Sequence, residues 1–454
     1  MSQRSSFETF MQQHSHIRYV TPDAPEYAIL REAYILDSPA VPFAIVRPRD
    51  AEDVATLVSW ATSEGVGITV RSGGHDLFGR CFAQDALAID MRDIDFITVD
   101  SSGSSAIIGG GILAFKLAEE LSKHHLATAF GSFATVGYVG WATHGGYGAL
   151  EANYGLGVDQ IIGATLVNPQ GELVTADTEM LEAIRGGGGC LGVIVDLTVK
   201  TYPLKEVLGG VIVYKSQELS ATLHMFSSGY KALAKNGLPK SLGIQQSVVN
   251  TPFGKALAVG FLWSSDDIET GRQWLDQVTP LGGEVALNTV KATTTPEWMA
   301  ISTELPPKSA YGGNCTISVK EMTDEVVAVM AQEFAKMPDD PATLFSAHQL
   351  RGPSAAPRAG SVFSARTPHY VFEFIGTTSS PDRAQESWLW VTGFRDALRK
   401  TDPENLLETS YISLTPPAEA RCSTIYGSQW QRLVELKNRY DPRNIFCYSL
   451  AQFN

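Results

Sequence analysis

The strongest constraint on how this chain can fold is where its glycines fall. Of the 41 in 454 residues, the dense groups all lie in the first 200. They are Ser72-Gly73-Gly74-His75, Gly109-Gly110-Gly111, six glycines from Gly131 to Gly148, and the unbroken run Gly186–Gly189. From about Val207 only isolated glycines and doublets remain. Backbone free of side chains lets amide N–H groups converge on an anion, so such clusters serve as anion nests as well as turns. A single triplet is explained by a turn. Three clusters in one half of the chain, Ser72–His75, Gly137–Gly148 and Gly186–Gly189, point to a long ligand carrying a diphosphate. A Rossmann site would need GxGxxG directly after a strand, and Gly109–Gly111 lacks that spacing. No GxxxxGK[ST] phosphate loop is present.

The remaining composition narrows the class. There are 35 Lys+Arg against 49 Asp+Glu, a formal net charge of −14, which argues against nucleic acid because phosphate neutralisation needs a basic face. No apolar run approaches the roughly 20 residues of a membrane helix, and Met1–His16 is polar, so a cytoplasmic protein with no membrane partner is expected. Five dispersed cysteines without a CxxC pair read as reduced, mostly buried thiols and give no metal site. The length calls for two domains.

Short β-branched runs alternate with helical stretches up to about residue 205. Strands are expected at Val41–Val46, Ile68–Val70, Leu87–Ile89, Ile97–Val99, Ala106–Ile108, Ile161–Val167 and Val193–Val199, with a helix capped by Asp50 and stopped at Gly65. Longer strands follow at Val207–Tyr214, Ala256–Trp263, Thr316–Val319, Leu344–Leu350 and Tyr370–Phe374. Helices near Gln217–Lys235, Asp324–Lys336 and Asp382–Arg399 separate them. The fold class is α+β, with the second domain an antiparallel sheet covered by helices. A last amphipathic helix, Tyr426–Arg439, stops at Asp441-Pro442.

Arg71-Ser72-Gly73-Gly74-His75-Asp76 resembles the RSGGHS segment of FAD-linked oxidases of the berberine-bridge-enzyme-like type, within the vanillyl-alcohol-oxidase (PCMH) flavoprotein superfamily. The likeness continues through Leu87–Met91, Thr135–Gly137, Gly145–Gly148, Gly155–Asp159, Ile184–Gly189 and Tyr440–Phe446; the middle, about 206 to 400, matches best at Phe363–Arg366. The resemblance implies an FAD-binding domain from 1–205 plus a returning segment 406–454, with a substrate-binding domain, 206–405, inserted between them. It implies FAD contacts from Arg71, Ser72, Gly73, Gly74, His75 and Asp76, from Ser132, Thr135, Val136, Gly137, Gly140, His144, Gly145 and Gly148, and from Val193 and Ile194. His75 matches the histidine that carries an 8α-linked flavin. Relatives with a second, cysteinyl bond have a GxCPTVG segment; here Gly131–Gly137 places Phe133 at that cysteine, so a single covalent link is expected. The terminal FRxNQ-type stretch of relatives reads Phe446-Cys447-Tyr448-Ser449-Leu450.

The implied activity is oxidation of a small organic substrate, an alcohol, amine or sugar-like molecule, with O₂ as acceptor. A base must lie within hydrogen-bond reach of the proton it removes. The relatives' YxNY-like segment is Tyr411-Ile412-Ser413-Leu414, with an aliphatic residue at its last position, and strand alternation would turn Tyr411 away from Leu414. Other candidates are Tyr370 and Glu373, the latter a carboxylate in an apolar strand beside Val371, and His348. Trp141 stands where relatives often have histidine. A flavin dehydrogenase or oxidative cyclase with poor oxygen turnover is the alternative, and a non-catalytic flavin-fold module the third.

Overall fold

The computed structural model describes residues 3–303 and 308–453. Strand Ala44–Arg47 pairs antiparallel with Arg18–Val20 and parallel with Leu87–Asp90, and Ile68–Arg71 completes this four-stranded sheet. The expected strand at Val41 starts three residues later because Pro42 has no N–H to pair. Helix Ala51–Glu64 makes the crossover. Its first turn is capped by the Asp50 carboxylate, which accepts from the Asp53 amide at 2.9 Å, and Gly65 ends it at φ +68°. Val54, Leu57, Val58 and Ala61 bury its apolar face between this sheet and a second one. The second sheet is antiparallel and five-stranded, ordered Ile97–Val99, Ser105–Gly109, Val193–Lys200, Ile161–Val167, Leu173–Thr175.

The later half is organised by one large antiparallel sheet. Its order is Val285–Asn288, Val207–Tyr214, Gly254–Trp263, Leu242–Thr251, Thr343–Leu350, His369–Thr378, Tyr311–Val319, Leu406–Leu407. Helices Leu219–Lys235, Asp324–Phe334 and Ala384–Leu398 cover one face. There Phe226, Met330, Phe334 and Phe394 meet Phe345, Phe372 and Phe374 in a core of fully or nearly fully buried rings. Strand alternation therefore sends Ser346 and His348, and Glu373 and Ile375, to the opposite face. That polar face looks toward the glycine-rich half, and the sheet's register sets Glu373 directly across from Ser346 and His348 across from Gln245.

The chain then returns to the first half. The final helix is Trp430–Tyr440, shorter than expected at its start because Gly427, at φ +52°, separates it from a short helix Cys422–Tyr426. Leu433 and Leu436 bury against the core around helix Thr178–Gly187. Lys437 and Asp441 form a fully buried pair at 2.7 Å, and Asp441 also accepts from the Ile445 and Phe446 amides, turning the chain at the expected stop. Among the described residues no helix is long and apolar enough to cross a membrane, and no cluster of His, Cys, Asp or Glu is placed to hold a metal ion.

Candidate active site

Between the glycine loops and the polar face of the large sheet lies a cleft of about 400 Å³. Its floor is built by close backbone approach. A Cβ on Gly73 would fall on the Gly137 amide and the Thr135 carbonyl, and one on Gly137 would fall on Ser72 Oγ. The loop after strand Ile68–Arg71 and the loop before helix Tyr138–Thr143 can meet only because both positions lack side chains. Arg71 does not line the cleft. Its guanidinium is turned back to donate to the Leu30 and Glu32 carbonyls, which anchors the loop. Asp76 receives the Phe78 and Arg80 amides and pairs with Arg80, whose guanidinium donates to the Ser413 carbonyl at 2.8 Å. The first loop is thus tied to the 411–415 segment across more than 300 residues of chain.

Of the residues expected to contact FAD, Ser72, Gly73, Gly74, His75, Asp76, Ser132, Val136, Gly137, Gly140, His144, Val193 and Ile194 line the cleft. Thr135 stands behind, hydrogen-bonded to His75 Nε2 at 2.7 Å. Gly145 and Gly148 are packing positions: a Cβ on Gly145 would strike Tyr411 and Phe363, and one on Gly148 the Phe130 carbonyl. His75 stacks on Tyr34 with ring centroids 4.8 Å apart. Burial, with Arg71 nearby, lowers its imidazole to about 4, so the ring is neutral at physiological pH. His144 Nδ1 lies 2.9 Å from the Gly140 carbonyl; burial lowers its ring too, to about 4, and Nε2 is left buried without a partner. Ser72 Oγ is likewise buried and unpartnered. Two orphaned polar atoms and a cradle a Cβ would fill are what an extended, phosphate-bearing ligand would complete, and the cleft fits FAD. Phe133 and Trp141 form part of its wall, as do Phe446, Tyr448, Ser449 and Leu450 of the terminal stretch. Cys81 also reaches the wall, but burial pushes its thiol up to about 12 and makes it a poor nucleophile.

The sheet side of the cleft carries the titratable groups. Glu373 Oε1 accepts from the Tyr147 hydroxyl at 3.0 Å, and Glu373 Oε2 lies 3.1 Å from His348 Nε2, which is also 3.1 Å from Ser346 Oγ. Burial alone would lower His348; the Glu373 carboxylate, helped by Glu151, outweighs it and raises the imidazole above its ordinary value. Burial, reinforced by Glu373, raises the Tyr147 phenol far above 10. Tyr411 is also raised by burial, and its hydroxyl accepts from the Gly146 amide at 2.6 Å. The expected strand alternation at 411–414 is overturned. Tyr411 precedes a 3₁₀ turn, Ile412–Leu414, and Tyr411, Ser413 and Leu414 all reach the cleft. Tyr370 does not: it shares the face of Phe372 and packs against the helix-covered core. Sequence reasoning passed over Tyr147 as a side chain, reading only the glycines around it, and passed over Glu151, buried at the start of helix Glu151–Tyr154.

The Phe363–Arg366 segment locks this arrangement. Arg366 donates two hydrogen bonds to Asp159, at 2.7 and 2.9 Å, and lies over the Phe363 ring, which meets Tyr411 edge-on.

Comparison with known proteins follows the same outline. The family described as "FAD binding domain" matches residues 42–177, and that described as "Berberine and berberine like" matches 411–451. The FAD-linked oxidoreductase aurO of Gibberella zeae is 29% identical over 436 residues, 95% of this chain and 85% of that protein. Two solved structures share the fold over nearly their whole length. One is 6-hydroxy-D-nicotine oxidase from Arthrobacter nicotinovorans, with a TM-score of 0.82 and 23% identity, covering 96% of this chain and 97% of that one. The other is glucooligosaccharide oxidase from Acremonium strictum, described with a 6-S-cysteinyl, 8α-N1-histidyl FAD; its TM-score is 0.85 at 18% identity, with 99% of each chain covered.

Proposed function

We propose that this chain, which belongs to the berberine-bridge-enzyme-like FAD-linked oxidoreductases, is an oxidase of a small organic substrate, with Glu373 as the base and a flavin held by one covalent bond to His75. A flavin held by the cleft residues would supply the redox chemistry, taking up a hydride equivalent from the substrate with O₂ as the final acceptor, which would become H₂O₂. The protein's part is to hold the substrate against that acceptor and remove a proton.

The observation that carries this reading is the pairing around Glu373. Its two oxygens are oriented by Tyr147 and His348, and the residue lines the cleft instead of facing the core. Of the four candidates, Tyr411 is occupied as an acceptor for Gly146 and raised by burial, Tyr370 lies on the wrong face, and His348 supports Glu373. The Glu373 carboxylate would accept a hydroxyl or amine proton, and the apolar walls from Ile375, Leu414, Phe133 and Trp141 favour a substrate without negative charge. For the covalent bond, the Thr135 contact engages His75 Nε2 and leaves Nδ1 for the flavin, and the neutral ring keeps a lone pair to form it. Phe133 lines the cleft without a thiol, which supports a single link.

The test is a panel of a glucooligosaccharide, 6-hydroxynicotine and benzylic alcohols, with H₂O₂ release compared against transfer to an artificial acceptor. Glu373→Gln should lower flavin reduction by roughly 10²–10⁴-fold with flavin content retained. A variant as fast as the parent removes Glu373 as base. Transfer to the artificial acceptor without H₂O₂ replaces the oxidase with a dehydrogenase.

A further inference from the structure

Behind the substrate cleft lies a second, smaller cavity of about 30 Å³. His348 and Gln245 line both spaces, so the same two side chains form the wall between them. Glu151 and Arg351 also line the small cavity, with backbone from Gly148 and Gly243, among apolar neighbours that include Leu242, Phe261 and Trp298. A space of this size holds one or two waters, and a buried water needs two to four polar partners, which this lining provides. Glu151 is 6% exposed, and one of its oxygens accepts from the Gly148 amide at 2.8 Å. Arg351, which lines the same cavity, is directed to the Pro239 and Leu242 carbonyls. Among the described residues Glu151 therefore has no ion-pair partner within 4 Å, although a buried carboxylate ordinarily requires one.

We propose that Glu151 is the proton store of the active site, receiving through a water in the small cavity the proton that His348 gives up when Glu373 takes one from the substrate. This rests on Glu373 being the base. The transfer moves protons only. The substrate O–H or N–H bond breaks to Glu373; the His348 imidazolium, whose Nε2–H has faced the Glu373 carboxylate at 3.1 Å, then loses that counter-charge and releases its Nδ1 proton to the cavity water, and the Glu151 carboxylate becomes a carboxylic acid. The redox half of the reaction would belong to the cofactor, and the stored proton is one that reduction of O₂ to H₂O₂ requires. His348 suits the part because Nε2 faces Glu373, Ser346 and, at 3.5 Å, Gln245, while Nδ1 has no hydrogen-bond partner among the described residues.

The electrostatics agree with the geometry. Burial raises the Glu151 carboxyl to about 7; His348, the Gly148 amide and Arg351 oppose the rise, and Glu373 adds to it. Tyr147 and Tyr411 face the same cluster and stay neutral, both raised by burial. Glu151 thus changes charge near neutral pH, where a group that gains and loses a proton in each turnover must do so. It touches neither substrate nor cofactor and acts through His348.

Two measurements on the holoenzyme test this. In infrared difference spectra of the resting protein, a protonated-carboxyl band should fade as pH rises through about 7, and Glu151→Gln, which keeps an acceptor for the Gly148 amide, should lack it. With the panel compound oxidised fastest, the rate of anaerobic flavin reduction should rise through the same pH in the parent and lose that rise in Glu151→Gln. Absence of the band in the parent, or an unchanged pH profile in Glu151→Gln while Glu373→Gln is inactive, would overturn the proton store and leave the base in place. Full activity in Glu373→Gln would overturn the base and the store with it.

Discussion

Replacing Arg366 with methionine keeps most of the side-chain volume and removes the charge facing Asp159. The pair is 7% and 1% exposed and bidentate, at 2.7 and 2.9 Å, so the substitution leaves a carboxylate buried in low dielectric. Breaking one partner of a buried pair costs about 3–5 kcal/mol. Two contacts survive to soften this: the Leu156 amide at 2.9 Å, and Arg358 at 3.4 Å, the latter 43% exposed and therefore well solvated. The lower end of the range, about 3 kcal/mol, is the expected loss. Asp159→Asn in the same background removes the stranded charge and should recover at least about half of it, giving a coupling near 2 kcal/mol in a double-mutant cycle. Urea unfolding at neutral pH, followed by far-ultraviolet dichroism and by flavin fluorescence, supplies the four values. Because Arg366 also lies over Phe363, and Phe363 meets Tyr411, flavin release should begin at lower urea than in the parent. A single-variant loss below about 1 kcal/mol, or no coupling, would refute the claim that this pair holds the Phe363–Arg366 segment onto the Gly155–Asp159 loop.

Gly73→Ala should fold yet retain little flavin, since its Cβ collides with main-chain atoms of Gly137 and Thr135 that cannot move independently; an unchanged ratio of flavin absorbance to protein would contradict the cradle. Glu151 makes stability depend on pH. Its carboxyl rises from an ordinary 4.5 to about 7 on folding, so the folded state holds that proton more tightly than the unfolded state does. Stability is full below the unfolded value and falls as pH rises through the folded one, by roughly 3 kcal/mol at about 1.4 kcal/mol for each pH unit of the window. Urea midpoints of the parent and Glu151→Gln should therefore diverge between about pH 4.5 and 7 in favour of the variant, and parallel curves would rule out the raised carboxyl.

The glycine loops were legible because a close backbone approach demands residues without Cβ, and those positions announce themselves in a single sequence. Alternation also placed Glu373 on the face of Val371 and away from Phe372, since a strand with one buried face cannot shift by one residue. The strand Leu242–Thr251 was missed, although it supplies Gln245. Its polar run Gln245-Gln246-Ser247 reads as a loop, and only the pairing with Gly254–Trp263 and Thr343–Leu350 makes it a strand. Tyr411 was misread for the opposite reason, as a strand residue where the chain makes a 3₁₀ turn held by Arg80. The meeting of Tyr147, Glu151, His348 and Glu373 spans more than 200 residues of chain, and no local pattern encodes a contact that the sheet register creates.

A flavin anchored to His75 alone, as proposed, can be measured without knowing the substrate. The purified protein is precipitated in acid, washed, digested, and its peptides separated by absorbance and mass. The yellow chromophore should stay with the protein and travel with one peptide, the one containing His75, and His75→Ala should release all of it. Colour left in the supernatant, or a flavin on any cysteine-containing peptide that lacks His75, would contradict it.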